Sequence, residues 1–355
     1  FGAISKSKTL ELSSDAVIDN GRIHSASLIR LQVTDVEFAT IRRNYSIGGV
    51  VINQAKAAAY DRLPQPIVKT ILELYRDKTV LKGVAGSETE YAAAKEDINS
   101  VYGMTATDPV KEQFDHVGGG NLELAPIDLD AEVQAHNRSR SRALFYPWGA
   151  WVTSYTRATL LGAVMDLADA GVDVLYTDTD SIYSVDHPAI VGIVVGINER
   201  LLQQNEEAAA EMQLDPALYS PVDPKGASHP IGLFEHDNNG EIIDEFKTLG
   251  AKRYATVKGG KFAITVAGLN KAAGAAYVEA NGGMDFFKDG MSIPAESSGR
   301  LIHTYSDETV GNILIDHLGN AAYAEQTGFV HLEAAGYHLT IGDDYRNFMQ
   351  LMGQM

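Results

Sequence analysis

Two carboxylates one residue apart, Asp178 and Asp180, sit in the run Tyr176-Thr177-Asp178-Thr179-Asp180-Ser181-Ile182. Close carboxylates repel unless a cation or a proton sits with them. Their hard oxygens suit a divalent ion, Mg2+ before others. Apolar residues precede the pair (Val172, Val174, Leu175) and follow it (Ile182, Tyr183, Val185), which predicts a strand, a tight acid-bearing turn and a returning strand. Alternate side chains of an extended strand share a face, so Asp178 and Asp180 would point the same way unless the turn falls between them. The plain alternative is an acidic turn facing water.

A second set of residues has helical spacing. Lys95, Asn99 and Tyr102 are four and then three residues apart, and Gly103 follows. That spacing puts all three on one helix face. The face offers a cation for a triphosphate and a flat ring for a base or sugar; the alternative is a solvated face ending at a glycine cap. Asp35-Val36-Glu37 is another acid pair, of the kind a proofreading exonuclease uses for metal. No exonuclease pattern accompanies it, and it precedes the basic Ile41-Arg42-Arg43, so it reads as structural. A nuclease built on Asp178 and Asp180 would lack a His or a third acid at recognisable spacing.

These groups need a framework, and 355 residues are enough for about two domains. The absence of Cys excludes disulfides and thiolate metal sites and fits a cytoplasmic protein. No apolar run has the length of a membrane span, and no signal peptide opens the sequence. The chain starts at Phe1, which suggests processing or a longer parent. The net charge of -18 opposes phosphate binding at long range. Two basic strips run against it: Lys247, Lys252, Arg253, Lys258, Lys261 and Lys271, and then Arg138, Arg140 and Arg142.

Pro64 and Pro66 open an amphipathic helix whose apolar face is Ile67, Val68, Ile71, Leu72, Leu74 and Tyr75. Gly83 and Gly86 end it. Ser87 starts a second helix, with Glu90 in a capping-box position, and the two make a helical hairpin. Residues 105–145 read as an inserted loop region punctuated by Gly118-Gly119-Gly120 and Pro126. Tyr146-Pro147-Trp148-Gly149 leads into a long helix from about Ala150 to Ala170, stopped by Gly171, with Trp148 and Trp151 as packing residues. A further helix spans Ala189 to about Met212. Strands are expected at Gly232–Glu235, Ile242–Leu249, Arg253–Val257 and Phe262–Val266, and a helix starts at Asn270. Nothing in residues 282–355 identifies chemistry.

Read together, four stretches resemble family B DNA polymerases in the family's own order. Tyr176 to Ile182 resembles the third signature motif. Lys95-x-x-x-Asn99-Ser100-x-Tyr102-Gly103 is similar to the second, the fingers helix. Lys252-Arg253-Tyr254 resembles the Lys-x-Tyr motif, with Phe262 to Leu269 as the strand and turn after it. Tyr146-Pro147-Trp148-Gly149 and its helix are similar to the element before the third motif in the bacteriophage-type, protein-primed branch.

The resemblance implies a DNA-directed DNA polymerase from a virus or plasmid, working with two Mg2+ ions or with Mn2+. Asp180 would hold both ions and Asp178 would be a weaker ligand. Lys95 would neutralise triphosphate charge, Asn99 would support the nucleotide pocket, Tyr102 would pack against the nascent base pair, and Gly103 would be a further nucleotide-binding residue. Lys252, Tyr254, Thr179 and Ser181 would contact primer DNA. The partners implied are primer-template DNA, dNTPs and a terminal priming protein.

The family's first signature, an Asp before a Ser-Leu-Tyr-Pro-Ser-like run, does not occur here, and neither does an exonuclease domain. A partner chain or upstream segment would supply both. Where relatives carry a Lys one turn before the fingers Lys, this chain has Tyr91, and Lys82 is the candidate substitute. The expected fold is α+β of the right-hand polymerase type: a partial palm and insertion-like segment at 1–60, helical-hairpin fingers at 61–104, an insertion at 105–145, a palm with antiparallel sheet at 146–257, and a thumb-like carboxy-terminal region at 258–355. The competing reading is a non-catalytic nucleic-acid-binding or structural relic.

Overall fold

The computed structural model describes residues 2–57, 59, 61–108, 110–118, 121–139, 145–315 and 319–351. Gly119, Gly120, Arg140 and Arg142 lie outside the described residues. In chain order the elements are β1 (Ile4–Ser5), β2 (Thr9–Leu12), β3 (Val17–Asp19), β4 (Arg22–Ser25), β5 (Ile29–Leu31), α1 (Asp35–Asn44), α2 (Gln65–Leu81), α3 (Glu88–Thr105), β6 (Phe114–Gly118), β7 (Asn121–Leu124), α4 (Leu129–Arg138), α5 (Tyr146–Asp169), β8 (Val174–Asp178), β9 (Ser181–Ser184) and α6 (Ala189–Met212). Then follow β10 (Glu245–Thr248), β11 (Arg253–Lys258), β12 (Lys261–Val266), α7 (Lys271–Ala280), β13 (Ser292–Ile293), α8 (Ala295–Ser298), β14 (Arg300–Ile315), β15 (Ala321–Ala335), β16 (Tyr337–His338) and α9 (Asp343–Leu351). The fold is α+β, with small antiparallel sheets among the helices. No helix among the described residues is long and apolar enough to cross a membrane. Two compact units divide the chain: Phe1–Thr107 with Arg140–Gly240, and Asp108–Ser139 with Glu241–Met355.

In the first unit α5 is the central support. Leu160, Leu161, Ala163, Val164 and Leu167 bury one side of it. It begins at Tyr146, four residues before the expected Ala150, because Pro147 sits in the first turn, where a missing amide costs nothing. It ends where Gly171 takes a left-handed φ of 78°. There Gly171 N–H donates to Ala168 O at 2.9 Å and Val172 N–H to Leu167 O at 3.0 Å. This double bond pattern satisfies the last carbonyls and turns the chain into β8. Trp151 is 44% exposed, so the packing role expected of it is not realised.

Glu37 closes a capping box on α1, accepting from Thr34 N–H while Thr34 Oγ1 accepts from Glu37 N–H. It also pairs with Lys8 and Arg157. Burial works against its charge, but hydrogen bonds from Lys8 and Thr34 outweigh it and hold the carboxyl below its usual range. The Asp35-x-Glu37 pair is therefore structural.

Helices α2 and α3 form the expected hairpin, but the capping box at Ser87 does not: its side chain makes no cap bond. Glu88 instead folds back to accept from Gly86 N–H at 3.3 Å. Leu72 of α2 is buried against Ala209 of α6 and Tyr219. The far end of α3 crosses α5 at Gly149, where an added Cβ would lie 2.2 Å from Thr105 Oγ1 and 3.0 Å from Thr105 Cβ. Gly149→Ala is therefore expected to cost about 1–3 kcal/mol through overpacking. Urea unfolding checks this, and Thr105→Ala in the same chain should recover part of the loss.

Residues 232–235 form no strand. Side chains of α6 occupy their backbone groups: Asn198 donates to Phe234 O and accepts from Phe234 N–H, and Asn205 donates to Ile231 O. His229 sits between Glu235 (Nδ1, 2.9 Å) and Asp223 (Nε2, 3.2 Å), and its carbonyl accepts from Tyr75 of α2. Hydrogen bonds to Glu235 and Asp223 raise its pKa above 6.5. A raised folded pKa gives stability that is complete below the unfolded value and is lost as pH rises through the folded one. The thermal midpoint of the wild type should therefore fall, relative to His229→Gln, as pH rises above about 6.5. Parallel profiles for the two proteins would remove this role.

In the second unit β10, β11 and β12 form an antiparallel sheet, and Val278 of α7 shares a core with the strand residues Ala255, Ile264 and Val266. Asn270 caps α7 by accepting from Ala272 and Ala273 N–H. The expected strand from Ile242 starts only at Glu245. Residues 105–145, expected as loop, contain the hairpin β6–β7 and the helix α4. Asp128 caps α4, and Arg138 at its end donates to Gln134. The strands β14 and β15 make a long ribbon whose register shifts between Ser306 and Thr309.

Candidate active site

The hairpin β8–β9 carries the acid pair. Asp178 faces Ser181 across the ladder, so Thr179 and Asp180 are the two residues of the turn. The alternation rule thus does not relate Asp178 to Asp180, because the turn falls between them. Asp180 N–H donates to Asp178 O at 2.7 Å, and Ser181 Oγ donates to the same carbonyl at 3.0 Å. Thr179 Oγ1 donates to Asp178 Oδ1 at 3.1 Å. Below the turn, Tyr176 is buried and its ring lies 5.9 Å from that of Tyr183. Asp178 is half-buried and Asp180 exposed.

Thr179 has φ 58°, a left-handed conformation that a β-branched residue rarely takes. Lys252 has φ 55°. Among the described residues only four non-glycine positions share this region, the others being Asn20 and Gln213. Such backbone costs of order 1–3 kcal/mol and clusters at functional sites. Two of the four fall inside the motifs picked out by sequence.

Within the first unit Lys78 lies within electrostatic reach of Asp180. Lys78 of α2 is half-buried, with its ammonium 5.2 Å from the centre of the Tyr75 ring. Burial first, and then the like charges of Lys82 and Lys95, hold the Lys78 ammonium below its ordinary pKa, while Asp180 acts in the opposite sense. Lys78 on one arm of the helical hairpin is thus within electrostatic reach of Lys95 on the other arm and of the acid turn. Lys78 was missed in the sequence reading, although its spacing of four from Lys82 was the available signal.

Asn99, Tyr102 and Gly103 lie further along the exposed face of α3. Tyr102 is 43% exposed, and a Cβ on Gly103 would meet nothing within 4 Å, so packing does not account for that glycine. Lys252 and Tyr254 belong to the second unit. Lys252 occupies the turn between β10 and β11, where its carbonyl accepts from Ala267 N–H at 3.0 Å. Tyr254 stacks on Phe246 with centroids 5.8 Å apart.

The donor set can be compared with what Mg2+ requires. One or two carboxylates are enough to anchor a hydrated Mg2+ that also takes substrate phosphates. Among the described residues no three His, Asp or Glu side chains come together closely enough to hold an ion by themselves. Two carboxylates on one turn match in number what such an ion takes from a protein, and by themselves they do not complete a two-ion cage. Comparison with protein-family models, with curated proteins and with solved structures returned no match.

Proposed function

We propose that this chain is the fingers-and-palm portion of a template-directed DNA polymerase, with the third metal-binding carboxylate and any exonuclease supplied by a partner chain or an upstream segment. The observation that carries this reading is that half-buried Lys78 lies within electrostatic reach of Lys82, Lys95 and Asp180. A nucleoside triphosphate with its Mg2+ needs cations for the phosphates and carboxylates for the ion, side by side. Asp178 and Asp180 would hold the Mg2+, whose chemistry there would be to offset charge that develops during in-line displacement. The residues of this chain do the rest. Asp178 and Asp180 hold the ion's protein side, and the three lysines draw charge toward the leaving pyrophosphate. Tyr102 offers a stacking face to the base, with Asn99 beside it. Lys252 and Tyr254 are assigned to the primer strand, with Thr179 and Ser181 shaping the acid turn near its terminus.

The test is primer extension with primer-template DNA, dNTPs and Mg2+, in the presence of the product of the adjacent gene. Asp180-dependent incorporation is expected, and its absence would defeat the proposal. The net charge of -18 and the two-carboxylate donor set favour a second reading, a polymerase-like binding module without turnover. Nucleotide and DNA binding without extension in the same assay would select it.

A further inference from the structure

A second cationic site lies away from the acid turn, in a cleft of the first unit between β1, β4, α1 and α5. We propose that this cleft binds a single phosphate-sized oxyanion through Arg22, with Lys8 and Arg157 beside it. The cavity measures about 30 Å3 and opens to solvent. That is room for about two waters, which suits one anionic group rather than a whole nucleotide. Its charged lining is Lys8, Arg22, Arg157 and Glu37.

The charges in this lining do not balance. Glu37 is the one carboxylate there, and both Lys8 and Arg157 already pair with it. Arg22 has no ion pair among the described residues, and Arg157 is the like charge closest in effect. Burial, and after it the neighbouring Arg157, push the Arg22 guanidinium below its ordinary pKa. Its side chain is nevertheless solvent-accessible. Crowded by protein yet reachable from water is the position of a group lining an open pocket.

Two guanidinium groups lining one partly desolvated cleft disfavour each other's charge, and an anion between them would relieve that repulsion. The chain around them carries a net charge of -18 but places no second carboxylate in this lining. Planar guanidinium forks match phosphate oxygens in paired hydrogen bonds, which favours phosphate over chloride. The floor is apolar, from Ile4, Leu31 and Leu161, so the anion's charge would be met from one side only. This site rests on charge balance and shape in the cleft and is independent of the polymerase reading.

The probe is inorganic phosphate, titrated at constant ionic strength against chloride, with binding read by calorimetry and thermal midpoint. Wild type should bind phosphate and gain several degrees in midpoint at saturation, about 4 °C or more. Arg22→Gln should weaken binding about tenfold or more while leaving the midpoint in chloride unchanged or raised, because a repulsion is removed. Arg22→Lys should retain part of the affinity. A deoxynucleoside 5′-monophosphate run in parallel distinguishes the source. Tighter binding than phosphate points to a nucleotide's phosphomonoester, and weaker binding to the free ion. Equal response of wild type to phosphate and chloride, or full phosphate affinity in Arg22→Gln, would overturn the site.

Discussion

Asp180→Asn is expected to lower Mg2+-dependent primer extension by about three orders of magnitude or more, with DNA binding largely retained. The isosteric amide keeps the turn, because the hydrogen bonds that hold it come from the Asp180 amide, Thr179 and Ser181 and not from the Asp180 carboxylate. What is lost is one negative charge at the ion. Metal stabilisation of a phosphoryl-transfer transition state amounts to several kcal/mol, and each 1.36 kcal/mol is about tenfold in rate. Asp178→Asn should cost less in metal binding, and its amide oxygen can still accept from Thr179 Oγ1. Single-turnover extension measured beside DNA affinity separates the two. An Asp180→Asn protein that extends at near-normal rate would remove Asp180 from the chemistry.

Lys78→Met is expected to weaken dNTP–Mg2+ binding about ten- to a hundredfold, the worth of a charge-assisted hydrogen bond to phosphate. Stability of the nucleotide-free protein should be unchanged or slightly higher. Met keeps the apolar stem that lies against Tyr75 and removes a half-buried charge that Lys82 and Lys95 disfavour. The lost cation–π contact sets an opposing cost of about 0.5–1 kcal/mol. A purely structural lysine would give the opposite pattern, with stability falling and nucleotide affinity unchanged. Calorimetric dNTP titration and urea unfolding on the same protein decide between them. Lys95→Ala should weaken the same binding, and the double variant should show less than the summed loss, because both cations act on one ligand.

On the proposed reading, the placement of Lys78 would suit the helical hairpin to a triphosphate. A lysine kept partly desolvated by its neighbours gains most when an anion arrives, since the anion relieves repulsion already present. Arg22 follows the same logic in its own cleft. In both places cations gather in a strongly acidic chain, which would concentrate phosphate binding into a few spots.

Local signals were legible in the sequence. Proline at 66 and 147, Asn270 as a cap, the Gly171 stop and the apolar alternation around Asp178 each act within a few residues, and each produced the element expected of it. The α+β class follows from those elements. The Ser87 capping box failed because the backbone there takes φ -111° and ψ 20°, away from the extended geometry a cap needs, and Glu88 took up the loop amide instead. The strand at 232–235 failed because Asn198 and Asn205, some thirty residues earlier, claim the backbone groups a neighbouring strand would have used.

The sequence by itself determined the acid turn, the hairpin of helices and the face of α3, because these depend on spacing along the chain. Only the tertiary structure decided which charges meet. Burial and Coulomb interaction depend on distance in space, so the coupling of Lys78 to Lys82, Lys95 and Asp180, the commitment of Glu37 to Lys8 and Arg157, and the crowding of Arg22 by Arg157 appear only once α2, α3 and α5 are packed.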